Sequence, residues 1–453
     1  MRLALKLLGI GGLMVLLLIP LALLDGLVHE RQSRAADVVA DIAQASANAQ
    51  RVTAPLLRLE VEREVQRMER AGDDPRFPLQ PVSRTEVETL LVAAETVEVD
   101  ATLATETRRR GLFEARLYQQ KADIRARFRV PALRALPGQQ SVRIRDARWV
   151  LGLGDNRGIT ALALTANGQP LQAEPGTGVV WLPEGVQAVL PGDWAAGSAL
   201  ETQAALTLTG TSQLAWLPVA ETFRWTLAGD WPHPRFAGFA LPTEREVRAD
   251  GFSAEWRMSA LASQAPQRLA ACGPEAHCGG LEGTALSLEL LDPVDRYLMT
   301  DRAIKYALIF LGLVFGAVFL LEVLRGAAVH PLHYLLVGLA LALFFLLLLA
   351  LAEHLGFALA YALAATACVA LIGYYLSGVL GGWKRGLGLA GLLAALYGAL
   401  YGLLQSEDHA LLLGAVLLFG VLAATMVLTR RIDWSKVGLP RTGGERPSGG
   451  GAG

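Results

Sequence analysis

Two short polar stretches between long apolar runs hold the residue types best suited to chemistry. Glu353-His354 and Glu407-Asp408-His409 each set carboxylate beside imidazole at the end of a hydrophobic segment. If the two loops meet, these five side chains form a cluster able to bind a divalent cation or pass protons. The plainer alternative is that both are interfacial loops, polar because any link between two apolar helices must be. Glu322 lies near the end of another apolar run, where pairing with Arg325 competes with any action on a substrate. His330 and His333 stand three apart, but the intervening Pro331 favours a helix-start turn over a shared metal. No ligand set identifies a metal, and no cofactor is implied.

The remaining motifs are weaker. Gly152-Leu153-Gly154 through Gly158 lacks the spacing and the following helix of a dinucleotide loop, so a β-turn is expected there. There is no P-loop, HExxH or GxSxG, so hydrolase and nucleotide-hydrolysing readings lack their usual support. Three cysteines are too few for a disulfide scaffold. Cys368 sits in an apolar run as a small core residue. Cys272 and Cys278 flank a turn-forming Gly-Pro-Glu-Ala-His, and in an oxidising compartment they would close a small disulfide loop. A metal site is the lesser alternative for this pair, since no second ligand pair follows.

The elements that must position these residues follow from hydropathy. Of 453 residues, 53% are hydrophobic and only 18% charged, which requires part of the chain to sit in lipid. The net charge of −1 and the lack of a basic, aromatic-interleaved tract give nucleic-acid binding no support. Six stretches suit transmembrane helices: residues 5–24, 307–324, 333–351, 357–376, 387–404 and 410–428. The first follows Arg2 and Lys6 but is long for a signal peptide and lacks a small-residue cleavage site, so it is read as a retained anchor. Arg2, Lys6, Arg325, Lys384, Arg385, Arg430, Arg431 and Lys436 fall on one side, whereas the two acidic loops opposite carry no Lys or Arg. The positive-inside rule therefore places both termini in the cytoplasm and the long segment after the first span outside. Gly312 with Gly316, and Gly398 with Gly402, form GxxxG pairs that let helices pack closely, within the chain or in a homo-oligomer.

The expected organisation is a polytopic α-helical membrane protein with a large, mainly β, sandwich-like outer domain between helices 1 and 2. Its parts are an anchor at 1–24, a helical stalk at 25–81, a β-rich domain at 82–300, a five-helix bundle at 301–434 and a disordered tail at 435–453. The stalk rests on the Ala-, Arg-, Glu- and Val-rich composition of residues 29–71. The β domain rests on period-two patterns: Phe252, Ala254, Trp256, Met258 and Ala260; Phe223, Trp225 and Leu227; Leu286, Leu288 and Leu290; Phe113, Ala115 and Leu117. Seven of the nine tryptophans lie in this domain and are read as core.

These residues resemble the CreD family of inner membrane proteins across nearly the whole chain. In the helical part the resemblance rests on Arg302-Ala303-Ile304-Lys305-Tyr306-Ala307, Ala352-Glu353-His354-Leu355-Gly356-Phe357 and Arg430-Arg431-Ile432-Asp433-Trp434. In the outer domain it rests on Asp230-Trp231-Pro232-His233-Pro234, Asp155-Asn156-Arg157-Gly158-Ile159 and Gly251-Phe252-Ser253-Ala254-Glu255-Trp256. Residues 51–59 depart from the Gly-Pro-rich, aromatic stretch usual in the family. The resemblance implies a Gram-negative inner membrane, a periplasmic outer domain and control by a sensor kinase and response regulator. It also implies a part in envelope stress and tolerance to toxic proteins, and supplies no catalytic mechanism. The expected function is thus non-enzymatic support of envelope integrity, with the outer domain binding an envelope component and Trp231 and His233 as candidate contacts. The alternatives are a transporter or channel using the Glu/Asp/His cluster, or a membrane enzyme acting on a lipid-linked substrate.

Overall fold

A computed structural model describes residues 2–70, 79–272, 278–291, 296–325, 329–379, 382–406 and 409–430. The chain divides into two compact units, one of Met1–Arg34 with Val294–Gly453, the other Ala35–Pro293. In chain order the helices are α1 (Arg2–Ala45), α2 (Ala260–Ser263), α3 (Ala265–Ala271), α4 (Gly279–Glu282) and α5 (Arg296–Arg325). They continue with α6 (Pro331–Leu355), α7 (Phe357–Val379), α8 (Trp383–Gln405) and α9 (Ala410–Thr429). Six of them, α1 and α5 to α9, are long and apolar enough to cross a membrane. The chain is a polytopic membrane protein with a β-rich unit inserted between its first and second spans.

In the helical unit, α6 packs on α5 and α7, and α7 on α8. Leu17 of α1 is buried, and it lies where a side chain on Gly338 of α6 would stand. The close helix approach is between α7 and α8. A Cβ on Gly386 would stand 2.8 Å from the Gly373 carbonyl oxygen, so only glycine lets these backbones meet. The GxxxG glycines do not mark that contact. Gly316, Gly398 and Gly402 face open space, and Gly312 would make only ordinary contact with Met14. Spacing shows that a face is small, but the neighbouring helix decides whether that face is used.

The strands of the second unit run β1 (Gln50–Thr53), β2 (Leu56–Arg70), β3 (Leu79–Arg110), β4 (Phe113–Arg129), β5 (Gln139–Gly152), β6 (Ile159–Ala166), β7 (Gln169–Leu171) and β8 (Glu174–Pro175). Then follow β9 (Gly185–Val189), β10 (Ala199–Thr211), β11 (Gln213–Leu217), β12 (Ala220–Gly229), β13 (Pro234–Gly238), β14 (Glu244–Arg248), β15 (Gly251–Ser259) and β16 (Leu286–Leu290). Twelve form one sheet whose backbone is the 32-residue β3. Its first half pairs with β2, and its second half with β4 and β12. Four strands form a second sheet in the order β1-β11-β16-β13.

The period-two residues make the core between these sheets. Trp225 of β12 lies opposite Trp256 of β15, their rings stacked with centroids 4.2 Å apart. Trp216 of the small sheet approaches Trp225 at 6.3 Å, and Phe236 meets Trp256 edge-on at 5.6 Å. Ala115 and Leu117 of β4 instead pack against Ile42, Val38 and Val39, the last turns of α1.

The helical stalk is corrected. Helix α1 continues to Ala45, but residues 50–53 and 56–70 are strands, so the β region begins well before residue 82. Its Glu and Arg content imitates a helix, yet from Leu59 on burial alternates, with Leu59, Val61, Arg63 and Val65 buried at a period of two. The alternate residues face cross-strand partners, as Glu62 does Arg143 of β5 at 2.6 Å. Likewise α5 starts at Arg296, ahead of the bundle boundary expected at 301. The tail at 435–453 lies outside the described residues.

Candidate functional site

The small sheet has one face in the core and one on a cleft, because alternate residues point to opposite sides. Val52, Leu214, Trp216, Leu286 and Leu288 face inward and are buried. Thr53, Gln213, Ala215, Leu217, Ser287 and Ala237 line the cleft, which has a volume of about 970 Å³. Small side chains at Ala215, Ala237 and Ser287 leave the hollow. Residues 181–184 wall it on one side and residues 281–283 on another, with Phe239 also in the lining. Cys278, at the start of α4, is disulfide-bonded to Cys272 with Cα atoms 5.5 Å apart, which anchors the segment carrying residues 281–283.

The lining mixes apolar side chains with polar ones, and its charged groups are mainly acidic. Gln213 Nε2 donates to Ser287 Oγ at 2.8 Å, ordering the floor. Glu282 pairs with Arg51 at 3.3 Å, and Glu289 with Arg235 at 3.3 Å. Glu184, exposed at the wall, adds a third carboxylate. Thr53 Oγ1 and Trp181 Nε1 are buried without a hydrogen-bond partner among the described residues. Buried polar atoms are normally satisfied, so such orphans mark a place where another polar group belongs. This arrangement can hold a polar, neutral or cationic ligand by hydrogen bonds and aromatic contact. An acyl chain would leave those polar groups unsatisfied.

Beside the cleft, Asp155 caps a short 3₁₀ helix at Asn156–Gly158, where the glycine spacing had suggested a β-turn. Its carboxylate accepts from Arg157 Nη2 at 2.6 Å, Asn48 N at 3.1 Å and Asn48 Nδ2 at 3.0 Å. Gln50 Nε2 donates to the Asp155 carbonyl at 3.0 Å and to that of Thr209 at 3.1 Å. The Arg157 hydrogen bond, more than any other influence, holds the Asp155 carboxyl at about 2, below the usual carboxylate range.

The acid/imidazole residues singled out in the sequence are placed differently from one another. Glu353, near the end of α6, faces Arg31 at 3.7 Å and accepts from the Tyr297 hydroxyl at 3.3 Å. Its carbonyl accepts from Arg296 at 3.0 Å. His354 and His409 are exposed, and Glu407 and Asp408 lie outside the described residues. Among the described residues, the acid/imidazole trio with ligand atoms within 4.8 Å of one another is Asp25, His29 and Asp301.

At the other end of the helical unit, Glu322 pairs with Lys6 of α1 and accepts from the Tyr334 hydroxyl at 3.0 Å. Lys6 also donates to the Val329 carbonyl at 3.0 Å. Sequence spacing sets Glu322 beside Arg325, whose side chain lies outside the described residues; the observed partner is Lys6, because α1 packs against this end of α5 and α6. His330 caps α6 by accepting from Leu332 N, and His333 meets the Tyr375 hydroxyl at 2.6 Å, so the two histidines have separate duties. Trp231 donates to the carbonyls of His233 and Leu291, both at 3.1 Å, and the Arg116 guanidinium covers its ring at 4.7 Å. These contacts staple a surface turn; His233 itself is exposed.

The family model for the inner membrane protein CreD matches residues 2–435. The chain belongs to the CreD family. The inner membrane protein CreD of Escherichia coli (strain K12) is 36% identical over 444 residues, covering 96% of this chain and 94% of that protein. Membership makes this an inner membrane protein. Solved structures offer less: an M1 zinc metallopeptidase from Deinococcus radiodurans aligns over 37% of this chain and 38% of its own, at 10% identity and a TM-score of 0.19. A mutant of it bound to a Tyr-Ser-Ala substrate aligns at 11% identity and a TM-score of 0.20, covering 37% and 39%. Likeness at that level carries no inference. Sequence reasoning missed the cleft, whose residues come from four strands distant in the chain, and the Asp25/His29/Asp301 trio. The signal available for the trio was the i, i+4 spacing of Asp25 and His29.

Proposed function

We propose that this CreD-family protein supports cell-envelope integrity by holding a polar envelope component, glycan or peptide, in the cleft on the small sheet. The observation that carries this reading is that cleft: about 970 Å³, with an amide and hydroxyl floor, acidic rim and aromatic wall. On this reading the β unit is periplasmic, both termini are cytoplasmic, and the protein is not an enzyme. The bias of Lys and Arg to one set of loops supports that orientation. The helices anchor the β unit in the bilayer. Glu353 supports this reading over transport, because Arg31, Arg296 and Tyr297 already engage it.

The test is to replace residues 46–291 by a flexible linker, keeping every span, and to measure growth under envelope stress with membrane abundance checked in parallel. Loss of protection at normal abundance is expected. Full protection would sink the proposal.

A further inference from the structure

The Asp25, His29 and Asp301 trio is unrelated to the cleft and has no part in the function proposed above. Asp25 and His29 sit one turn apart on α1, so both project from one face of that helix. His29 Nδ1 lies 2.9 Å from the Asp25 carbonyl oxygen and 3.7 Å from Asp25 Oδ2, which holds the imidazole beside the carboxylate. Asp301 comes from the second turn of α5, far away in the chain, and is only 6% exposed. Its Oδ2 bonds Lys305 Nζ at 2.6 Å. Its Oδ1 is buried and has no hydrogen-bond partner among the described residues. A buried carboxylate with one oxygen unpartnered, in a residue that comes within 4.8 Å of an imidazole and a second carboxylate, is costly unless a cation completes it.

We infer that Asp25, His29 and Asp301 form a binding site for a divalent transition-metal ion of the zinc class. One imidazole with two carboxylates suits a borderline ion such as Zn²⁺, whereas Ca²⁺ prefers oxygen ligands alone. With Lys305 beside them, two carboxylates leave one net negative charge for the ion. Asp25 and His29 are open on one side, so water completes the coordination. The bound ion would clip α1 to α5 at the end of the helical unit opposite the Lys6–Glu322 pair.

The experiment uses the full, untagged chain in detergent, stripped with a chelator and titrated calorimetrically with Zn²⁺ and separately with Ca²⁺. One equivalent of Zn²⁺ should bind, Ca²⁺ should not, and Zn²⁺ should raise the melting temperature. Asp301→Asn and His29→Ala should each weaken Zn²⁺ binding at least about tenfold, the usual scale for losing a ligand or its support. Lys305→Met should tighten it by removing a competing cation. This last variant keeps all three ligands, so it reports on the site even if Asp301→Asn misfolds. No Zn²⁺ binding, or binding unchanged in both Asp301→Asn and Lys305→Met, would overturn the inference.

Discussion

Lys6 and Glu322 meet at one end of the helical unit, the glutamate buried and the lysine half-buried, with the Tyr334 hydroxyl as a further donor to the carboxylate. An ion pair of this kind adds little over apolar packing, but removing one partner strands the other; with Lys6 partly exposed the cost falls below about 3–5 kcal/mol, the figure for a fully buried pair. Glu322→Gln or Lys6→Met alone should therefore lower the melting temperature in detergent, while Lys6→Met with Glu322→Leu should recover most of the loss. A double variant as unstable as the sum of the singles would contradict this. Asp155 gives a pH-dependent case in the β unit. Its carboxyl is held at about 2 against an ordinary value of 3.8, chiefly by Arg157. The proton is thus bound less tightly in the folded state. The stabilisation is complete above about pH 4 and is lost as pH falls through about 2. Asp155→Asn should cost about 1–3 kcal/mol near neutrality by spoiling a buried charged hydrogen-bond set. It should also flatten this acid limb, as measured by denaturant melts at several pH values.

At the scale of elements, the glycines give the sharpest contrast. Gly386 of α8 lies against the Gly373 backbone of α7, and even a methyl there would force the helices apart. Gly386→Ala should destabilise the bundle by about 1–3 kcal/mol through overpacking. Gly398→Ala, with open space around it, should be neutral or stabilise by up to about 1 kcal/mol, since alanine favours helix. Thermal melting of the two variants side by side checks the pair. Both glycines of the GxxxG motif at 398 and 402 were visible in the sequence, but the partner helix was not. The spans themselves were legible because a run of about 20 apolar residues has few other uses. Strand β2 was not, because its outward Glu and Arg residues are good helix formers and its inward residues include the buried Arg63. Only pairing with β3 and β5 fixes it as a strand. The cleft left no signature, since its hollow comes from small residues at Ala215, Ala237 and Ser287 on three different strands. The Asp25/His29/Asp301 trio joins residues from the first and second spans, a proximity that no local pattern encodes.

At the scale of the whole molecule, a membrane-anchored helical unit and a β unit are separate compact bodies on one chain. The CreD match runs through both, so the pairing of these units belongs to the family. The account assigns anchoring to the helices and recognition to the cleft, and that division is its central claim. Ala237 is partly buried on β13 and lines the cleft, so Ala237→Trp should fill the hollow while removing no charge or hydrogen bond. The direct measurement is growth of a chromosomal Ala237→Trp strain under envelope stress, with membrane abundance and melting temperature compared with the parent. The account predicts lost protection at unchanged abundance and stability. Undiminished protection with the cleft filled would contradict it.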